Sequence, residues 1–252
     1  MLLNSYKESN MKRIFCFAVA ILFLAAVMAS PGGEFWEKKD YKQWNQKECE
    51  KLLKDSPWAR PHILSSVGIM DNASNKTSSD GQQPIVTYQV QFFSAKPIRM
   101  ATVRQAQLVQ KYESLSPEQK QAMDKQTEAF LSQDFSDSIV VNVAYSTNDN
   151  VRDQELARYW QSQTTDVLKN NVYLSNTKGD KIYVGRYVVG QGAGRSFQFI
   201  FPRASGGNPL ISPQDKAIKV NFSYPVIGGM GDGKAFMEFK LDKMIFDGNF
   251  AF

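Results

Sequence analysis

The sequence predicts a mainly β protein with helical insertions, an α+β chain built on an antiparallel β-sandwich of seven or eight strands. Three observations predict it. From Asn170 onward, short runs of Val, Ile, Phe and Tyr alternate with turn clusters. Two earlier runs, Val86 to Phe92 and Ile139 to Tyr145, have the same β-branched and aromatic character. Around them lie about three central segments whose apolar residues recur at helical spacing, and a fourth, Trp-rich, near the N-terminus.

The chain is expected to begin with a leader. Met11, Lys12 and Arg13 run into Ile14 to Met28, about fifteen apolar residues. Positive charge followed by an apolar run is the pattern of a secretory signal, and Val27 and Ala29 place the cut between Ala29 and Ser30. A bilayer crossing needs about 20 apolar residues, and this run is shorter. Residues 1–29 are therefore read as an N-terminal extension plus cleaved signal, with Met11 a second candidate start. Residues 30–252 are read as one domain, with its Trp-rich helix in 30–60 and insertions at 96–133 and 150–169. Cys16 follows Arg13, Ile14 and Phe15, not a lipid-attachment sequence, and it would leave with the leader. Cys49 then stands alone and can form no intrachain disulfide, so the core must hold the fold.

Each element is read from its pattern. Asp40 to Leu53 is a helix, because Tyr41, Trp44, Cys49, Leu52 and Leu53 share one half of the helical wheel, and Ser56-Pro57 ends it. Ile63 to Met70 is a candidate first strand, followed by a solvated loop from Asn72 to Gln83. Val86, Tyr88, Val90 and Phe92 alternate with Thr87, Gln89 and Gln91. Ile98, Ala101, Val109 and Tyr112 give a helix. Ser116-Pro117-Glu118-Gln119 opens the next with a Ser cap, Pro at the first position and Gln at the third, and Ala122, Met123, Gln126 and Phe130 are its inward stripe.

After the strand Ile139 to Tyr145, a cap at Asn148 to Asn150 starts a helix whose Leu156, Tyr159, Trp160, Gln163 and Val167 share a face. Val172 to Leu174 and Lys181 to Val189 form a hairpin around Asn176 to Asp180. Ser196 to Phe201, Ala217 to Tyr224 and Ala235 to Phe246 complete the strands. The tail from Phe246 to Phe252 carries alternate aromatics and reads as a last sandwich strand or, alternatively, as the closing strand of an outer-membrane barrel.

Candidate chemistry is thin. Gly228 to Lys234 has the G-x-x-x-x-G-K frame of a phosphate loop, but Ala235 stands where Ser or Thr must hold magnesium, and strand follows where a helix is required. Gly190 to Gly194 and Ser205 to Asn208 start no helix and read as turns; gathered at one end of a sandwich, such loops would form a recognition rim. His62 is the single histidine, so a multi-histidine zinc site is excluded within one chain. A Cys49–His62 pair is set against Cys49's place on the apolar half of its helix, which makes a buried thiol the simpler reading. Asp71, Asn72 and Asn75 lack the twelfth ligand of a calcium loop. Asn72, Asn75 and Asn221 each open an N-x-S/T sequence, the last inside a strand. No cofactor is expected.

The formal charge of +5 falls to +3 when Lys7, Lys12, Arg13 and Glu8 are removed with the leader, and that balance does not argue for nucleic acid. The stretch Phe35 to Tyr41, Trp44, Glu48, Leu52-Leu53 and Ser56-Pro57-Trp58-Ala59, with its W-x-x-x-E-x-x-x-x-L-x-x-S-P-W-A pattern, resembles the opening of an uncharacterised family of exported bacterial proteins. Gln91 to Ala95 and Pro97 to Arg99 extend the resemblance. It implies export and no assigned activity, so it supplies no site residues. Trp36, Trp44 and Trp58 are the candidate interaction surface, weighed against simple burial in the core.

The expected function is therefore an exported, non-catalytic envelope protein that binds an envelope protein or a glycan. It meets the membrane only through its leader. An envelope hydrolase using Asp and Glu carboxylates assembled by the fold is the alternative, and an outer-membrane β-barrel the second alternative.

Overall fold

The computed structural model describes residues 34–65, 85–190, 195–228 and 233–252. The predicted leader, the Asn72 to Gln83 loop and the centres of two glycine loops lie outside the described residues. The chain divides into two compact units, 1–38 and 39–252. In the first, a short helix α1 (Phe35–Lys38) sets Phe35 edge-on to Trp36 at 5.0 Å.

The second unit mixes helices with antiparallel sheets, and no sheet among the described residues closes into a barrel. The expected helix over Asp40 to Leu53 is split. Asp40 accepts from the Lys42 backbone N–H and starts only a 3-10 turn, Tyr41–Gln43, after which Trp44 is extended. Asn45 then caps α2 (Gln46–Lys54), its side chain accepting from Glu48 N while the Glu48 carboxylate accepts from Asn45 N. That reciprocal pair satisfies two N-terminal donors at once, which a continuous helix through Asn45 would forfeit.

β1 (Ala59–Ser65) begins earlier than the sequence pattern suggested, and Pro61 is tolerated because β1 is an edge strand. It pairs with β2 (Ile85–Phe92), which pairs with β3 (Ser138–Thr147). Between β2 and β3 run α3 (Lys96–Val109) and α4 (Pro117–Leu131), the latter opened by the Ser116–Gln119 capping box. Arg99, 6% exposed, donates from Nη1 to the Leu131 and Gln133 carbonyls at 3.0 and 3.2 Å. A cation there satisfies the end of α4 and complements its dipole. The expected inward stripe of α4 is only partly inward, since Met123 and Phe130 are half-buried and Ala122 and Gln126 exposed.

α5 (Asn150–Ser162) is capped by Asp149 and buries Leu156 and Trp160. It stops short of Val167: Gln163 turns extended and Thr164 caps a new helix, α6 (Thr165–Leu168). This places Leu168 inside and leaves Val167 58% exposed.

The expected hairpin is present as β4 (Tyr173–Ser175) and β5 (Lys181–Tyr183), but the run to Val189 is not one strand. Val184 N donates to Val172 O in one sheet, and Gly185 N donates to Ile200 O in the other. The chain then continues as β6 (Arg186–Val189) beside β7 (Ser196–Pro202). One apolar run thus serves two sheets. A five-stranded sheet results, in the order β1-β2-β3-β7-β6, and a four-stranded one in the order β11-β10-β4-β5, with β10 (Ala217–Ser223) and β11 (Lys234–Lys240).

Nine strands in these sheets exceed the seven or eight expected, because the run from Lys181 to Val189 divides into β5 and β6. Ala235 to Phe246 ends as strand at Lys240. A 3-10 turn follows, then a small hairpin of β12 (Ile245–Phe246) and β13 (Asn249–Phe250) around Asp247-Gly248. Both turn residues have positive φ, 50° and 75°, the backbone that an Asp-Gly pair favours. The tail is therefore neither a long last strand nor a barrel strand. β8 (Ala204–Ser205) and β9 (Asn208–Pro209) form a second small hairpin over Gly206 and Gly207.

The core lies where rings from the two sheets meet. Phe92 is edge-on to Phe239 at 4.9 Å, Tyr88 to Phe222 at 5.8 Å, and Trp160 stacks on Phe197 at 4.0 Å. Each of these buried rings contributes about 2 to 3 kcal/mol by leaving water.

Candidate binding face

The tryptophans proposed as an interaction surface are turned away from solvent: Trp36 is 5% exposed, Trp44 1% and Trp58 0%. Trp44 donates from Nε1 to Lys39 O at 3.1 Å, and its own carbonyl accepts from Arg104 at 3.0 Å. Trp58 lies edge-on to Phe246 at 6.4 Å. Large apolar rings beside capped turns are drawn inward by the area they remove from water, so these three indoles form no exposed face.

His62 is half-buried on β1, tilted against Tyr224 at 5.5 Å. Cys49 is fully buried, and burial pushes its thiol up to about 11, the opposite of an activated nucleophile. Among the described residues, no three His, Cys, Asp or Glu side chains group so as to hold a metal ion. Among them too, no helix is long and apolar enough to cross a membrane. Asp71, Asn72 and Asn75 lie outside the described residues. Asn221, inside β10, is 4% exposed and donates from Nδ2 to Ser175 Oγ at 3.2 Å, which withdraws it from any surface modification.

The described flanks of two glycine loops do converge. Gly228, with φ of +61°, faces the Arg152 guanidinium, where a Cβ would come within 2.4 Å of Nη2. Arg195, just after the other loop, pairs with Asp153 at 2.5 Å, and Arg152 pairs with Asp149 at the same distance. Backbone N–H groups of Arg152 and Val151, with the Arg152 charge, hold the Asp149 carboxyl below its ordinary range. The Arg195–Asp153 pair ties one loop flank to the start of α5, and Gly228 of the other lies against Arg152 there. Lys234 opens strand β11, so no helix N-terminus follows the G-x-x-x-x-G-K frame.

The exposed feature that core packing does not explain is the outer face of the four-stranded sheet. Antiparallel register sets Phe236 opposite Asn221, Asn221 opposite Tyr173, and Tyr173 opposite Tyr183. This row crosses all four strands. Its ends are open, with Phe236 65% and Tyr183 45% exposed. Two residues along, the next row holds Glu238, Lys219, Ser175 and Lys181. Lys181 Nζ sits over the Tyr173 ring at 4.4 Å, and Tyr173 tilts against Tyr183 at 5.5 Å.

On the Phe236 side of this row lies a cavity of about 110 Å³, lined among others by Tyr173, Asn221, Phe236, Lys234, Asn170 and Asn171. Asn221 Nδ2 is occupied by Ser175 Oγ and the Tyr173 and Lys219 carbonyls. Its oxygen accepts no hydrogen bond among the described residues and remains an acceptor for whatever enters. Tyr173 and Phe236 flank Asn221 on neighbouring strands, so their backbones stand about 9.6 Å apart. A single ring slipped between two aromatic faces needs about 7 to 8 Å. Strand spacing thus leaves room for one ring between the Tyr173 and Phe236 positions.

Sequence reasoning passed over this row, although parity marks it. Phe236 alternates in step with Lys234, Glu238 and Lys240, not with Met237 and Phe239, and Tyr183 shares the face of Lys181. The comparisons with known proteins give no match: no family model, curated sequence or solved structure is similar to this chain at a significant level.

Proposed function

We propose that this chain is an exported, non-catalytic cell-envelope protein, an antiparallel sandwich that binds a glycan on the outer face of its four-stranded sheet. The row Phe236, Asn221, Tyr173 and Tyr183 carries the reading, because it exposes aromatic rings around an amide floor on a rigid sheet. A sugar ring has apolar C–H faces that stack on aromatics and hydroxyl edges that hydrogen-bond amides, which is what this slot offers. Export rests on the Met11 to Ala29 pattern.

Calorimetry against soluble oligosaccharides tests the reading. Wild type should bind at least one backbone type, and Phe236→Ala should abolish that binding while leaving the melting temperature unchanged. A wild-type protein that binds none of them, or a Phe236→Ala variant that binds as well as wild type, sinks the proposal.

A further inference from the structure

Resting on that reading, we infer that the bound glycan is acidic, a chain whose sugar rings carry carboxylates. Lys234 lies one register step to one side of the aromatic row, and Lys181 and Lys219 lie one step to the other. Lys240 stands one step further along β11. Glu238 is the single acid that β4, β5, β10 and β11 place on this face, and it pairs with Lys219 at 3.5 Å. With Glu238 paired to Lys219, Lys181 and Lys240 leave an excess of positive charge on this face.

Distance favours charge on the ring itself. Successive rows are about 6.6 to 6.8 Å apart along the strands. A carboxylate on the ring in the slot, or on the next ring, meets a lysine in either direction along the chain. Lys181 is already held over Tyr173, so its charge is fixed beside the stacking surface instead of sweeping through solvent.

The test compares matched pairs of soluble hexasaccharides: mannose and mannuronate, galactose and galacturonate, glucose and glucuronate. Oligo(dT) of similar charge serves as a fourth arm. For the full mature chain at about 50 mM salt, the carboxylate member of the best pair should bind about tenfold more tightly than its neutral partner, and the gap should narrow as salt screens it. Lys181→Gln with Lys240→Gln should erase most of that gap and keep the wild-type melting temperature. Equal affinity within every pair overturns the acidic-glycan inference and leaves the glycan-binding reading standing. No binding in any pair overturns both. Tighter binding of oligo(dT) than of every saccharide overturns the inference in favour of a single-stranded polyanion read by stacking.

Discussion

On the five-stranded sheet, the outward glutamines of β2 are occupied: Gln89 donates to Lys54 O at 2.9 Å and Gln91 to Leu53 O at 2.6 Å. These carbonyls end α2, so the sheet itself caps the helix lying on it. On the four-stranded sheet the same alternation delivers Phe236, Tyr173 and Tyr183 outward, and their rings meet solvent, one another and Lys181. Polar side chains lie under cover on one face, and aromatic ones stand uncovered on the other. This inverts what burial alone dictates. The first face follows from backbone groups that need partners, whereas the second has no such structural cause, which is why it is read as the binding face.

The comparison can be strained at three points, the largest effect first. Asp215, with its side chain fully buried, accepts from Ser212 N at 2.8 Å, Ser212 Oγ at 2.7 Å and Thr177 Oγ1 at 3.1 Å. It thereby fastens the β4–β5 turn, at the edge of the open sheet, to the loop before β10. Asp215→Ala should cost about 3 kcal/mol, seen as a lower urea midpoint, because it strands buried donors. Burial works to raise the Asp215 carboxyl, but the Ser212 and Thr177 hydrogen bonds and the Lys178 charge outweigh it and hold it below the ordinary range. The stabilisation is therefore present above the unfolded value, about 3.9, and is lost as pH falls through the lower folded one. The difference between the variant and wild type should therefore shrink as the pH is lowered below the unfolded value.

Next, Gln91→Ala should cost about 1 to 2 kcal/mol by chemical denaturation, since the Leu53 carbonyl loses its donor beneath α2. Last, Phe236→Ala should stay within about 0.5 kcal/mol of wild type. If the second of these costs less than the third, the assignment of a structural face and a functional face is reversed.

Much of this frame was legible. Val86 to Phe92 and Ile218 to Tyr224 show period-two alternation, and both are strands with one inward face. The Ser116 capping box gave the start of α4 to the residue. What the sequence hid was non-local. Lys181 to Val189 has no local signal at Gly185, because the break is set by which neighbour, Val172 or Ile200, supplies the carbonyl. Asn221 looked like a chance modification sequence. Its meaning comes from Tyr173, 48 residues earlier, and from Phe236 on the opposite strand. The tryptophans were weighed as either surface or core, and only tertiary packing around Trp44 and Trp58 distinguishes the two. The Asp247-Gly248 turn, by contrast, was visible as a dipeptide and was obscured by the alternating aromatics around it.

The change of sheet between Val184 and Gly185 leaves the molecule without a seam. Removing β4 and β5 would drag β6 from the edge of the other sheet, so neither layer can detach while its companion stays intact. Amide protons on Val184 and Gly185 should accordingly exchange at one common rate, set by opening of the whole assembly.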